Sequence, residues 1–314
     1  MVFFLHWHSN VSDGTYSPEY ITRHIESVRK TFERFKQCRG FAITDHDNVE
    51  GVIRAKKTLK ELGSDLVLVP GVEFSFSKWV KGRWLEGEML GYGIYPEYEG
   101  LQKVIESSKK ARDERNHLLI ELLGKDYPNI TLENIKEFIG KRRQINRNDI
   151  ADFIMYVDIA TQKRQAFDII LKCELKRKKT PLEEVAQVIH DAGGVCILPH
   201  GGLFLQYNNI SEDFYVLNVL PMLLEYGLKG HELYPYAKRG RMTTEESKEC
   251  NEFFSDLNEL ENGLIDNIWG EDAHFDWLDK DDIDPGSFPT EDGVVKELLL
   301  KCSRYENFKN ENNI

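Results

Sequence analysis

Five times along this chain, an apolar strand-like run ends in residues of the types that ligate metals. The groups are His6-Trp7-His8 with Asp13-Gly14, then Thr44-Asp45-His46-Asp47, then Gly71-Val72-Glu73, then His200, then Asp272-Ala273-His274. One such group is unremarkable. Five, each at a strand end, require a fold that gathers strand ends around one pocket, as α/β barrels and open parallel sheets do. The pattern therefore constrains the fold and the chemistry together.

The spacings carry physical content. His6 and His8 stand at i and i+2 of a strand, so both imidazoles point one way and Trp7 the other. Asp13 sits in a Ser-Asp-Gly turn that can bring a carboxylate back over the same strand end; alone, Asp-Gly is an ordinary turn dipeptide. Asp45, His46 and Asp47 follow Phe41-Ala42-Ile43, although Asp47 or Asn48 could instead cap the next helix. Glu73 interrupts an apolar run, and an unpaired buried acid would cost several kcal/mol unless cations offset it. His200 closes the run at 195–198 in the same manner, and Asp272 and His274 repeat the i, i+2 spacing. The candidate ligands are His6, His8, Asp13, His46, Glu73, His200, Asp272 and His274, with Glu88 a further candidate. Mixed imidazole and carboxylate donors suit Mn²⁺, Fe²⁺ or Zn²⁺. Their number exceeds what one ion needs, so a cluster of two or three divalent ions is expected. Such clusters activate water and hold phosphoryl oxygens for in-line displacement.

The rest of the chain frames this site. Residues 1–100 alternate strands (2–5, 40–44, 66–69, 89–94) with helices (17–35, 48–62), which predicts βα units and a parallel sheet. Residues 101–181 are rich in charge and helix formers and read as a helical insertion beside the pocket. The α/β rhythm returns over 182–305, and 306–314 reads as a frayed tail. A net charge of −12 excludes a global basic footprint for duplex nucleic acid, but leaves room for a small phosphorylated substrate or a short single strand held locally. The five cysteines are scattered with no C-x-x-C pair, which argues against thiolate zinc and disulfides and fits a cytoplasmic setting. No run approaches the ~18 apolar residues of a membrane span.

These residues resemble the PHP (polymerase and histidinol phosphatase) family of metal-dependent phosphoesterases. His6-Trp7-His8-Ser9 through Asp13-Gly14 and Pro18-Glu19 resembles its first motif, Ile43 to Asp47 its second, and Pro70-Gly71-Val72-Glu73 its third. Leu90-Gly91-Tyr92, the stretch from Ala192 to His200, and Gly270 to His274 match later segments. Arg147 with Ile150-Ala151, and Ala166-Phe167, look like the branch that cleaves small nucleotides and short RNA. The resemblance implies a distorted (β/α)7 TIM-like barrel with a mainly helical insertion and metals at the C-terminal strand ends. It implies that the candidate ligands hold the ions, that Glu73 bridges them, and that a metal-bridging hydroxide attacks phosphorus. Catalytic candidates are then Glu73, Asp272, Arg147 as a phosphate-orienting cation, and His231 as a substrate contact, a leaving-group acid or a packed histidine.

The chain departs from the family in three places. Glu88 stands where a histidine is usual, Glu271 replaces a serine, and Pro199 precedes His200 instead of following it. Further basic clusters, Lys141-Arg142-Arg143 and Lys238-Arg239 with Arg241, are candidate phosphate clamps. His24, His117 and His190 lie on expected helices away from any motif. The expected activity is hydrolysis of a small nucleotide phosphate or of the end of a short oligonucleotide. The alternatives are a histidinol-phosphate phosphatase, and a PHP module with reduced catalysis within a nucleic-acid-processing complex.

Overall fold

The computed structural model describes residues 2–140, 144–173, 175–234, 243–261, 264–265, 268–273 and 290–302. Nine strands are present among them: β1 (Val2–Trp7), β2 (Cys38–Ile43), β3 (Val67–Val80), β4 (Arg83–Tyr92), β5 (Thr180–Pro181), β6 (Val195–Leu198), β7 (Leu228–Leu233), β8 (Ile268–Ala273) and β9 (Thr290–Glu291). The strand order runs β2-β1-β8-β7-β6-β4-β3, and a further β2–β3 pairing closes the sheet on itself. The result is a barrel of seven strands, with β5 paired to β3 and β9 to β1 at its margins.

Alternation along the strands sorts side chains between two sides of the wall. Phe3 and Leu5 of β1 join Ala42, Val67, Val69, Leu90, Tyr92, Val195, Ile197 and Ile268 in one cluster fed by nearly every barrel strand, which is the interior. The helix Asp292–Leu300 contributes Val295, Leu298 and Leu299 to the same cluster and plugs one end. Phe4 and Trp7 point the other way, against Ile21, Ile25 and Val52 of the first two helices. The first helix, Pro18–Thr31, opens as its sequence predicts: the Tyr20 amide donates to Ser17 Oγ and proline occupies the first turn.

Within the seven-stranded barrel the expected all-parallel order holds except at β4; at the margin β9 is also antiparallel, to β1. β3 and β4 form an antiparallel hairpin in continuous register from Gly71↔Tyr92 to Val80↔Arg83, and β4 is also antiparallel to β6. The two-residue loop Lys81-Gly82 has both residues at positive φ, the conformation that matches the twist of paired strands. The run at 66–69 therefore continues as a 14-residue strand, and Glu73 lies within it instead of after it.

Between β4 and β5 stand four helices, Glu99–Asp126, Leu132–Ile139, Arg147–Tyr156 and Lys163–Leu171. Their apolar residues, among them Leu119, Ile120, Ile150, Phe153 and Ile170, form a separate cluster. The start of the first helix, through Leu101, Val104 and Ile105, packs on the barrel instead. Asn146 caps the third helix through a reciprocal pair with Asp149, and its Nδ2 donates to the Ser12 carbonyl at 3.2 Å. That bond ties the helical segment to the loop after β1. Among the described residues, no helix is long and apolar enough to cross a membrane.

Candidate metal centre

The C-terminal ends of β1, β2, β6, β7 and β8 meet at one rim of the barrel, and the β3–β4 hairpin crosses it. His6 and Glu73 are fully buried there, with His8 almost so. The His6 and His8 Nε2 atoms lie 3.1 Å apart. Glu73 is the hub. Its Oε1 is 3.4 Å from His6 Nε2 and 3.2 Å from His200 Nε2, and its Oε2 is 3.2 Å from His8 Nε2 and 2.8 Å from His46 Nδ1. Asp272 Oδ1 closes the far side, 3.3 Å from His8 and 3.7 Å from His6. Asp13 Oδ1 stands 3.9 Å from His8 and 3.8 Å from His46.

The backbone bends to make this convergence. His6, Asp47, His200 and Asp272 all have φ between +34° and +70°, where side-chain-bearing residues are strained. β1 and β8 shift register between Leu5 and Trp7, and β6 and β7 between Cys196 and Leu198, so local bulges re-aim the side chains. The Pro199-His200 order is accommodated by His200 turning left-handed at the start of the helix Gly201–Asn208.

Asp45, His46 and Asp47 divide three tasks. The carboxylate of Asp45 accepts from the Ser9 amide, Ser9 Oγ and Ser12 Oγ at 2.7–2.8 Å, and so shapes the loop that carries Asp13. His46 faces the centre. Asp47 is no helix cap: Oδ1 accepts from the Ser75 amide, and Oδ2 pairs with Arg112 and, at 2.7 Å, Arg177. Asn48 does take a capping-like role, accepting from the Glu50 amide at 3.1 Å.

Glu88 reaches the same place as the other candidates. It sits opposite Ser75 on the hairpin, with oxygens 3.7 Å from His46 Nδ1 and 3.5 Å from His200 Nε2. Glu86 instead pairs with Lys179 at 3.2 Å, on the rim. His274 lies outside the described residues, as do Lys141-Arg142-Arg143 and Lys238, Arg239 and Arg241.

Of the three readings of His231, substrate contact, leaving-group acid or packed histidine, its surroundings support the packed one. On β7, His231 and Glu232 point to opposite sides, and it is Glu232 that faces the centre. His231 is fully buried against Tyr215 and Phe254, its Nε2 2.6 Å from the Tyr215 hydroxyl and its Nδ1 2.6 Å from Asn258 Oδ1. Burial pushes its pKa down to about 4, against a small opposing contribution from Asn258, so the ring is neutral and fully hydrogen-bonded.

Sequence reading missed Glu232. Both of its oxygens lie 2.9 Å from His6 Nδ1, and the His200 amide donates to it at 3.3 Å. A carboxylate on Nδ1 fixes the tautomer that leaves Nε2 free to donate a lone pair, the arrangement usual behind metal-binding imidazoles. The signal was present: in Gly230-His231-Glu232, strand alternation sends one of the two polar residues inward.

The donor set fits divalent cations. One ligand atom from each of His6, His8, Glu73 and Asp272 falls within 4.8 Å of the others, as do those of His8, Asp13 and His46, and of His46, Glu73 and Glu88. The three overlapping groups share Glu73, His8 and His46, the geometry of a cluster more than of one ion. Burial alone would raise the Glu73 pKa, but His46 and His6 hold it well below the usual range. Burial would likewise neutralise the imidazoles, yet Glu73 with Asp13 lifts His46 to about 9, and Glu232 with Glu73 lifts His6 well above its ordinary value. Excess negative charge of this kind calls for cations.

Beyond Glu88 the centre opens into a cavity of about 560 Å³ between the barrel rim and the helices. Arg147 lines it, together with Arg112, Arg115 and Arg177, which the sequence did not single out. Arg115 Nε is buried without a hydrogen-bond partner among the described residues. Burial, and then the neighbouring Arg147, Arg177 and Arg112, depress its pKa to about 9. Asp47 pairs with Arg112 and Arg177, and with Arg115 and Arg147 alongside them the wall facing the acidic centre is rich in cations.

No family model matches the sequence. The chain is 26% identical over 212 residues to the 5'-3' exoribonuclease Rnm of Escherichia coli, covering 65% of this chain and 67% of that protein. It is 26% identical over 209 residues to a 5'-3' exoribonuclease of Haemophilus influenzae, covering 65% and 69%. Among solved structures, a Bifidobacterium adolescentis protein described as a metal-dependent phosphoesterase superposes with a TM-score of 0.72 at 24% identity, over 96% of both chains. A Chromobacterium violaceum protein described as an amidohydrolase, with bound sulfate, gives 0.69 at 19%, over 99% of this chain and 96% of that one. These two likenesses establish the shared fold.

Proposed function

We propose that this chain is a PHP-type metal-dependent phosphoesterase and that it hydrolyses phosphodiester bonds at the 5′ end of short single-stranded RNA. The observation that carries the reading is the junction of two opposite fields: a buried imidazole–carboxylate cluster opening directly onto an arginine-walled cavity. A phosphate ester satisfies both, with its reacting phosphorus at the cluster and its flanking charge on the guanidiniums.

In this reading His6, His8, Asp13, His46, Glu73, Glu88, His200 and Asp272 hold two or three divalent ions, with His274 a further ligand and Mn²⁺ the ion that best suits the donors. When bound, such ions lower the pKa of a water molecule and neutralise charge on phosphoryl oxygens. Glu73 links the subsites because its two oxygens face different imidazoles. Glu232 keeps the Nδ1 proton on His6. Asp47 orients Arg112 and Arg177, while Arg115 and Arg147 remain to engage substrate phosphates. The relatives named as 5'-3' exoribonucleases support a strand end as substrate over a free sugar phosphate. A cavity of this size also receives a single nucleotide, so mononucleotide esters are accepted as minimal substrates.

The test uses a 5′-phosphorylated, 3′-labelled single-stranded RNA of ten nucleotides, with and without Mn²⁺. Stepwise shortening from the 5′ end, lost on chelation, is the expected result. Phosphate release from mononucleotides or histidinol phosphate without any shortening of the strand would refute the exonuclease reading.

A further inference from the structure

The outer half of the β3–β4 hairpin is unexplained by the metal centre. Its register places Ser75 opposite Glu88, Ser77 opposite Glu86, and Trp79 opposite Trp84. Strand alternation puts all six on one face, the face that also carries Glu73. The opposite face, with Phe74, Phe76 and Leu85, is buried in the core. One face of the hairpin thus runs from the metal centre, past the buried Ser75 and Ser77, to a pair of tryptophans at the hairpin tip. From Glu88 to Trp84 is about 13 Å at the rise of a β-strand.

Those tryptophans are not packed away. Trp79 is 61% exposed and Trp84 53%, with ring centroids 6.3 Å apart and planes tilted by 44°. A cross-strand pair can serve only to steady a hairpin. Here the pair also lines a groove of about 430 Å³ with Lys176, Arg177, Lys178 and Lys179. Lys176, Arg177 and Lys179 line the catalytic cavity as well, so groove and cavity lie side by side along one basic segment. Lys179 neutralises Glu86 on the way and lies 5.7 Å from the ring centroid of the exposed Tyr207. In a chain of net charge −12, four consecutive cations beside two solvent-facing indoles stand out.

We propose that Trp79 and Trp84, with Lys176 and Lys178, form a platform for the downstream bases and phosphates of a single strand whose 5′ end lies in the catalytic cavity. Aromatic faces that stack any base, flanked by cations that follow the backbone, are how single strands are held without sequence preference. The platform rests on the exonuclease reading for the identity of the strand's other end. It makes substrate length the quantity that the hairpin senses.

The experiment compares wild type, Trp79→Ala/Trp84→Ala and Trp79→Phe/Trp84→Phe, all metal-loaded, on a ten-nucleotide strand and on a mononucleotide ester. Binding of the same ten-nucleotide strand is followed separately by tryptophan fluorescence in metal-free protein. The alanine pair is expected to raise KM for the long strand at least tenfold with kcat unchanged, to raise KM for the mononucleotide less than twofold, and to lose most of the fluorescence quenching. The phenylalanine pair is expected to restore the long-strand KM. Equal loss on both substrates, or long-strand KM unaffected by the alanine pair, would overturn the platform. Quenching by anionic phospholipid vesicles but not by the strand would overturn it in favour of a membrane contact. Quenching by the strand with no hydrolysis at all would leave the platform standing and remove the exonuclease reading instead.

Discussion

His6 Nδ1 lies 2.9 Å from each carboxylate oxygen of Glu232, and both residues are fully buried. The contact depends on a glycine one strand away. A Cβ at Gly270 would fall 1.6 Å from Glu232 Oε1, so any side chain there displaces the carboxylate. Glu232→Gln and Gly270→Ala are therefore expected to act alike, by loosening the His6 ring. Each should lower metal affinity roughly ten- to a hundredfold, the usual effect of removing a partner behind a liganding imidazole. Titration of Mn²⁺ into the metal-free variants checks this. Wild-type affinity in both would show that Glu232 does not orient His6.

Glu73 touches four imidazoles with two oxygens, and among the described residues no other does so. Glu73→Gln keeps the shape but gives one of those oxygens' places to an amide nitrogen, which cannot accept. Turnover is expected to vanish, along with at least one bound ion per chain by elemental analysis. Chelation of the wild-type protein should have the same effect on activity, and Mn²⁺ should reverse it in the wild type alone. Full metal content with wild-type rates in Glu73→Gln would refute the bridging role.

Arg115 is the guanidinium whose Nε has no hydrogen-bond partner among the described residues, and its neighbours repel it. A phosphate supplies what the protein does not. Arg115→Gln is expected to raise KM for the RNA strand roughly tenfold or more, the range of a lost charge-assisted hydrogen bond. The same change relieves repulsion from Arg112, Arg147 and Arg177, so thermal stability should hold or rise. Steady-state kinetics and a melting curve decide together. A fall in stability with KM unchanged would make Arg115 structural.

The metal-centre residues were legible because their types are rare inside apolar runs. His6, His8, Asp13, His46, Glu73, Glu88, His200 and Asp272 do converge. The arginine wall was not legible in the same way. Arg112 and Arg115 sit on a helix with many charges, and nothing local distinguishes a guanidinium facing a cavity from one facing solvent. The antiparallel β4 was missed because the apolar run at 66–69 and the one at 89–94 were read apart. The alternation Phe74-x-Phe76 and the turn Lys81-Gly82 between them are the marks of a hairpin. The roles of Asp45 and Asp47 depend on partners 28 to 130 residues away, which no local pattern encodes.

His231 illustrates the converse case, a residue of the right type on the wrong side of a strand. Its neutral ring bridges Tyr215 and Asn258, and its pKa lies at about 4. The unfolded chain takes up a proton near pH 6.5, so the folded state binds fewer protons between these values. Its contribution to stability is therefore present above about pH 6.5 and is lost as pH falls toward 4, at roughly 1.4 kcal/mol per pH unit. His231→Phe should destabilise the protein at pH 7 by about 1–3 kcal/mol, because the Tyr215 hydroxyl loses its partner and Asn258 keeps only its bonds to the backbone of residue 231. The gap between wild type and variant should narrow on acidification, since phenylalanine has nothing to titrate. Denaturant midpoints for both proteins at pH 7 and pH 5 measure this directly. The kcat of the folded variant, and the pH dependence of that kcat, should match wild type. A folded His231→Phe protein that loses turnover, or loses one limb of its pH profile, would return the residue to the reaction.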